Sequence, residues 1–208
     1  MTSRNKISSK RTNVIGIGII IIAVIATLMV LDLSATTFTE QSPSDYENEE
    51  YGVIETEFGK MVIRFFPNEA PGHVENFKKL AKEGFYDGTS FHRVIPGFMI
   101  QGGDPLSKDG DRSNDGTGGP GYSINAEFNS KPHNRGILSM ARSSDPNSAG
   151  SQFFIMVKNN PSLDGQYTVF GEVIENIETA DSIVSQPRDD RDNPLEKIEM
   201  KVSITTNP

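Results

Sequence analysis

Apolar and polar positions fall into three patterns along the chain, and each predicts a different structure. From Val14 to Leu31 no charge interrupts eighteen residues rich in isoleucine. At 1.5 Å per residue the run reaches about 27 Å, close to a bilayer core of roughly 30 Å, so it predicts one N-terminal transmembrane helix. From Asp32 to Glu50 scattered apolar groups are set among six acidic residues and no basic ones, which predicts a flexible tether rather than a core. From Tyr51 onward, short β-rich runs separated by glycine take over. Val53 to Phe58 and Lys60 to Phe66 predict a hairpin turning at Gly59. Further strands are expected at Phe91 to Ile95, Phe98 to Gln101, Gly136 to Ala141, Gln152 to Val157, Thr168 to Val173 and Ile198 to Ile204. Two stretches carry helical spacing instead. Pro71 opens the first, with Val74, Phe77, Leu80 and Ala81 on one face and Gly84 past its end. Asn176 to Gln186 is the second, with Asn176 as cap, Ile177, Ala180, Ile183 and Val184 as apolar face, and Pro187 as stop. Eight strands and two helices predict a mainly β fold, a closed barrel with flanking helices, because closure removes exposed strand edges.

Charge settles orientation and excludes some functions. The 208 residues carry 20 Lys and Arg against 28 Asp and Glu, a net charge of -8. With no basic stripe to neutralise phosphates, nucleic acid is not an expected partner. Cysteine is absent, which rules out disulfides, a thiol nucleophile and Cys-ligated zinc. Residues 1 to 11 carry +4, whereas residues 12 to 59 contain no Lys or Arg. The positive-inside rule then keeps residues 1–13 in the cytoplasm, makes 14–31 a signal anchor, and places the tether 32–50 and the domain 51–206 outside the cell membrane. The competing reading, a cleaved signal with a mature end near Thr36, fits less well. Such signals have apolar regions of about 7 to 15 residues, and Leu33-Ser34-Ala35 makes a poor cleavage site.

Two groups of ligand-type residues carry little. Asp109, Asp111, Ser113, Asp115 and Gly116 alternate like a calcium loop, but the twelfth position from Asp111 is Tyr122, where a bidentate glutamate belongs. His73, His92 and His133 lack paired ligand spacing, so no metal is expected.

The stretch Phe91-His92-Arg93-Val94-Ile95-Pro96-Gly97-Phe98-Met99-Ile100-Gln101-Gly102-Gly103-Asp104-Pro105 resembles the signature of the cyclophilins, barrel-shaped peptidyl-prolyl cis-trans isomerases. Four more segments agree in order: Gly116 to Gly119, Gly136 to Ala141, Ser151 to Ile155, and Leu163-Asp164-Gly165 followed by Val169-Phe170-Gly171. The likeness covers about Tyr51 to Thr206. It implies rotation of X–Pro bonds in polypeptides, a reaction needing no cofactor. The barrier is about 18–20 kcal/mol because resonance gives the C–N bond double-bond character. A site lowers it by holding the twisted bond, whose nitrogen has gained a lone pair, better than either planar form. A permanently charged guanidinium suits that task.

By resemblance, Arg93 is the catalytic arginine and Gln101 bonds the substrate backbone. Phe98, Met99, Phe154 and Leu163 form the proline pocket, Gln152 lines the adjacent groove, and Tyr167 stands where many members carry histidine. Substrates would also bond main chain at Ala141 and Arg142, leaving the Arg142 side chain free to vary. His92 is expected to be a hydrogen-bonded core residue. Ser162 replaces a tryptophan found in many eukaryotic members, so cyclosporin binding is not expected, since serine lacks the indole's donor and area. The resulting expectation is a monomeric, membrane-anchored prokaryotic isomerase that assists folding of extracytoplasmic proteins. The rival is a module that holds proline loops without turning them over.

Overall fold

The computed structural model describes residues 49–208, so the expected anchor and most of the tether lie outside the described residues. Among the described residues no helix is long and apolar enough to cross a membrane. Eight antiparallel strands form one curled sheet: β1 (Tyr51–Thr56), β2 (Gly59–Phe65), β3 (Arg93–Ile95), β4 (Met99–Gly102), β5 (Ile137–Met140), β6 (Phe153–Met156), β7 (Val169–Glu175) and β8 (Lys201–Thr205). Their order is β3-β4-β6-β5-β7-β2-β1-β8. Irregular registers in β2–β7 and β5–β7 add local twist where the sheet bends.

The barrel is not closed by a continuous ladder, contrary to the sequence expectation. β3 and β8 are the two ends of the sheet. The segments before them form the seam instead. Gly88 and Phe91 donate to the carbonyls of Met200 and Ile198, both at 3.0 Å, and Met200 donates to Thr89 at 2.8 Å. Further along, the Val94 amide donates to Asp192 at 2.8 Å. A three-residue β3 is too short to pair with all of β8, so loop backbone satisfies its outer edge. Gly102 lies against this seam; a Cβ there would stand 3.0 Å from the Ser90 carbonyl.

Helix α1 (Pro71–Lys82) packs on β7 and β8, and α2 (Glu178–Val184) packs on β2, β3 and β4. Phe77 of α1 is fully buried among the rings of Phe65, Tyr86, Phe153 and Phe170, with centroids 5.0–5.7 Å away. Past the C-terminus of α1, Gly84 has φ +68°, and its amide and that of Phe85 donate to Ala81 and Leu80. This pair of bonds ends a helix only where a residue tolerates the left-handed region. Helix α2 is shorter than predicted because Asn176 is not its cap. With φ 59°, Asn176 makes the left-handed turn out of β7, a conformation asparagine accepts more readily than most residues.

Helix α1 has no side-chain cap of its own. A distant carboxylate supplies one: Glu127 accepts the amide hydrogens of Gly72 and His73, each at 3.0 Å, and lies 2.7 Å from the Nδ1 of buried His73. Burial pushes the Glu127 carboxyl up, but the His73 ring and the two amides outweigh it and hold its pKa below the usual value. For His73, burial is the larger influence and lowers the pKa despite Glu127. Both groups have depressed folded-state values, so both contribute stability that is lost as the pH falls through them. Glu127→Gln should therefore cost about 1–3 kcal/mol at neutral pH, read by denaturant unfolding. The gap from wild type should close as the pH falls from the usual carboxylate range through Glu127's depressed pKa; equal stabilities at neutral pH would refute the cap.

Candidate active site

Alternation along the strands separates two apolar layers. Val94, Ile100, Phe153, Ile155, Leu138 and Met140 point into the main core. Met99, Phe154, Met156, Ile137 and Val169 point to the other face, where Phe98, Ala141, Leu163 and Tyr167 pack beside them. The β6 sequence Phe153-Phe154-Ile155-Met156 is apolar at every position because both faces of that strand are buried.

Register then brings the expected site residues together. Arg93 lies opposite Gln101, Gln101 opposite Phe154, and Phe154 opposite Ser139, in one row across β3, β4, β6 and β5. The neighbouring row aligns Ile95, Met99 and Met156. A recess of about 380 Å³ opens over this face. Met99, Phe154, Phe98 and Leu163 give it apolar walls, Tyr167 and Ala141 border it, and Arg93, Gln101 and Arg142 bring polar groups to it. Among the described residues no carboxylate or imidazole lines it. Such a site can seat a small apolar ring beside a fixed cation, but it has no paired acid and base for proton transfer.

The polar groups are held differently. The Arg93 side chain is 45% exposed, and its Nε stands 4.0 Å from Asp192 Oδ2. Asp192 also takes the Nε–H of Arg188 at 3.2 Å, and its φ is 65°. The Gln101 amide donates to Gln152 Oε1 at 2.9 Å, while the Gln152 Nε2 donates to the carbonyls of Gly116 and Gly118 at 3.0 and 2.9 Å. Gln152 thus orients Gln101 and anchors the glycine-rich loop, as well as lining the larger recess beside the first.

Two expectations are corrected. The Arg142 side chain is not free. Its Nε and Nη2 donate to Gln166 O at 3.2 and 3.0 Å, its Nη1 to Ser143 O at 2.8 Å, and its guanidinium lies 4.7 Å from the Tyr167 ring centre. These contacts tie the 142–144 loop to the pocket wall, a link that needs residues distant in sequence. His92 is buried as expected, but neither ring nitrogen has a well-formed hydrogen bond. Burial, the largest influence, depresses its pKa against the attraction of Asp104 and Asp115, which favours an uncharged ring.

Sequence reasoning assigned no role to His133, which supports the pocket from behind. Its ring stacks on Phe154 at 15° with centroids 6.1 Å apart. Its Nδ1 is 2.9 Å from Asp164, next to Leu163, and its Nε2 is 3.1 Å from Ser139 Oγ, which donates to Thr168 O at 2.9 Å, next to Tyr167. One buried imidazole therefore braces three walls. Its only sequence signal was a lone polar residue before an apolar strand. The calcium-like loop is occupied internally: the Asp109 and Asp111 carboxylates accept the amides of Asp111 and Ser113 at 2.7 and 2.9 Å.

Comparison with known proteins agrees with this geometry. The family profile described as cyclophilin type peptidyl-prolyl cis-trans isomerase matches residues 51–204. A peptidyl-prolyl cis-trans isomerase of Synechococcus elongatus is 48% identical over 141 residues, covering 64% of this chain and 92% of the relative. One from Arabidopsis thaliana is 44% identical over 163 residues, covering 74% and 96%. Among solved structures, a Cryptosporidium parvum cyclophilin type isomerase, crystallised in the presence of the dipeptide Ala-Pro, superposes with a TM-score of 0.69. It is 36% identical, and the alignment covers 76% of this chain and 99% of that one. A β sheet carrying one arginine-glutamine-phenylalanine row beside an apolar recess, and a family match spanning nearly all of it, place this chain in the cyclophilin family of peptidyl-prolyl cis-trans isomerases.

Proposed function

We propose that the enzyme works outside a prokaryotic cell membrane, tethered by residues 14–31, and accelerates X–Pro isomerisation in secreted and membrane proteins as they fold. Four observations on the sequence support the anchoring: a +4 N-terminus, eighteen mostly apolar positions without a charge, an acidic tether, and a poor cleavage site. Uncatalysed isomerisation takes about 10–100 s, and millisecond turnover requires removing roughly 5 to 7 kcal/mol from the barrier. A tether near emerging chains raises the enzyme's effective concentration on them.

The observation that carries the mechanism is the placement of Arg93 beside the apolar recess. In this reading the proline ring sits on Phe154 and Met99, walled by Phe98, Leu163 and Tyr167. Gln101 holds the substrate backbone, and main chain at Ala141 and Arg142 aligns the flanking residues. As the bond twists, the prolyl nitrogen loses conjugation and becomes a better acceptor. The Arg93 guanidinium, fixed in charge, then bonds more strongly to the twisted state than to either planar one, which is what lowers a barrier. Tyr167 contributes its ring, standing edge-on to Phe154 with centroids 5.7 Å apart.

Arg93→Ala in the full chain should lower kcat/KM on an X–Pro peptide by about 10²–10³-fold while peptide binding persists, measured by NMR exchange. Retained turnover would remove Arg93 from the mechanism. Tyr167→Phe should stay within about twofold of wild type, and Tyr167→Ala should raise KM about tenfold, because the ring rather than the hydroxyl forms the wall. Protease added to intact spheroplasts should reach the domain while residues 1–13 stay protected in the membrane fraction. A soluble product beginning near Thr36 would contradict the anchor.

A further inference from the structure

The proline recess meets a second recess of about 560 Å³, and Gln101, Ala141 and Arg142 line both. A polypeptide whose proline occupies the first and whose neighbouring residues enter the second must cross these three residues. Consecutive Cα atoms are only about 3.8 Å apart, so a residue adjoining the proline passes within reach of the Arg142 side chain.

Among the described residues, that side chain is a held cation without a counter-charge. Every protein hydrogen bond it makes goes to a carbonyl oxygen, of Gln166, Ser143 or Ser144. These contacts use Nε once, Nη2 once and Nη1 twice, so at least one of the guanidinium's five N–H donors, on Nη2, remains for a ligand. Arg93, by contrast, has Asp192 beside it. Among the described residues no aspartate or glutamate lines either recess, so the crossing is cationic in a chain whose net charge is -8. At contact distance the nearby guanidinium outweighs the distant carboxylates, which salt screens over about 8 Å.

We propose that Arg142 is a specificity-determining residue that favours substrates with an acidic side chain adjoining the proline. The proposal rests on the isomerase activity but not on the membrane anchor. Its test uses the full chain and two peptide series, Ala-X-Pro-Phe and Ala-Ala-Pro-X, with X as Glu, Gln or Lys, and kcat/KM from NMR exchange. In one series Glu should exceed Lys by about five- to tenfold, with Gln between them, and the ratio should shrink as salt is raised. Arg142→Gln should bring the ratio within about twofold of unity. Arg142→Lys, which keeps the charge but loses the planar fork, should retain at least half of it. Because each ratio is taken within one protein, a general loss of activity in a variant cancels. Ratios below twofold in both series, or a ratio that survives Arg142→Gln, would overturn the proposal and leave the isomerase intact. Failure to turn over any peptide would remove the isomerase reading and the proposal together.

Discussion

Arg93, Gln101 and Phe154 are neighbours because two backbone ladders set them opposite one another, and the rest of the site depends on that register. Side chains alternate between faces with a period of two, so a slip of one residue in β4 would turn Met99 and Gln101 toward the core and put Ile100 in the recess. The register is protected by burial on both sides. Ile100 and Ile155 are fully buried in the main core, while Met99, Phe154 and Met156 are almost fully covered on the other face. A strand that exposed one face could slide at little cost; here any slide strands large apolar groups in water, at about 25 cal/mol per Å². Packing thus maintains the active geometry around the recess.

Around this row the polar contacts hold loops to strands. The seam backbone and Asp192 secure the free edge of β3, Gln152 orients Gln101, His133 braces the walls carrying Leu163, Phe154 and Tyr167, and Arg142 ties the crossing to Tyr167. The expected chemistry asks for little else. Bond rotation moves no proton and breaks no σ bond, so what matters is that a cation and an apolar seat stay fixed relative to each other while the peptide twists.

Much of this was legible in the chain. All eight strands and both helices were readable from periodicity and from Gly and Pro, because those signals are local: Gly59 marks the first hairpin, although it opens β2 and the turn itself falls at Glu57 and Phe58, and Gly84 ends α1. The site residues came from motif resemblance, and the structure gathers all but Gln152 around one recess, with Gln152 lining the recess beside it. Features built from distant contacts were not legible. Glu127 caps a helix more than fifty residues away, Arg142 meets a carbonyl 24 residues on, and the seam pairs residues 88–91 with 198–200. Asn176 misled because asparagine serves both as helix cap and in left-handed turns, and only the tertiary path from β7 to α2 decides between them.

The most direct test of this account is a structure of the full chain bound to an X–Pro peptide, read for the position of the proline ring and its distance from Arg93. The account predicts the ring over Phe154 and Met99 with a guanidinium nitrogen within about 3.5 Å of the prolyl nitrogen. A proline seated elsewhere, or an Arg93 turned toward Asp192 and away from the peptide, would contradict it.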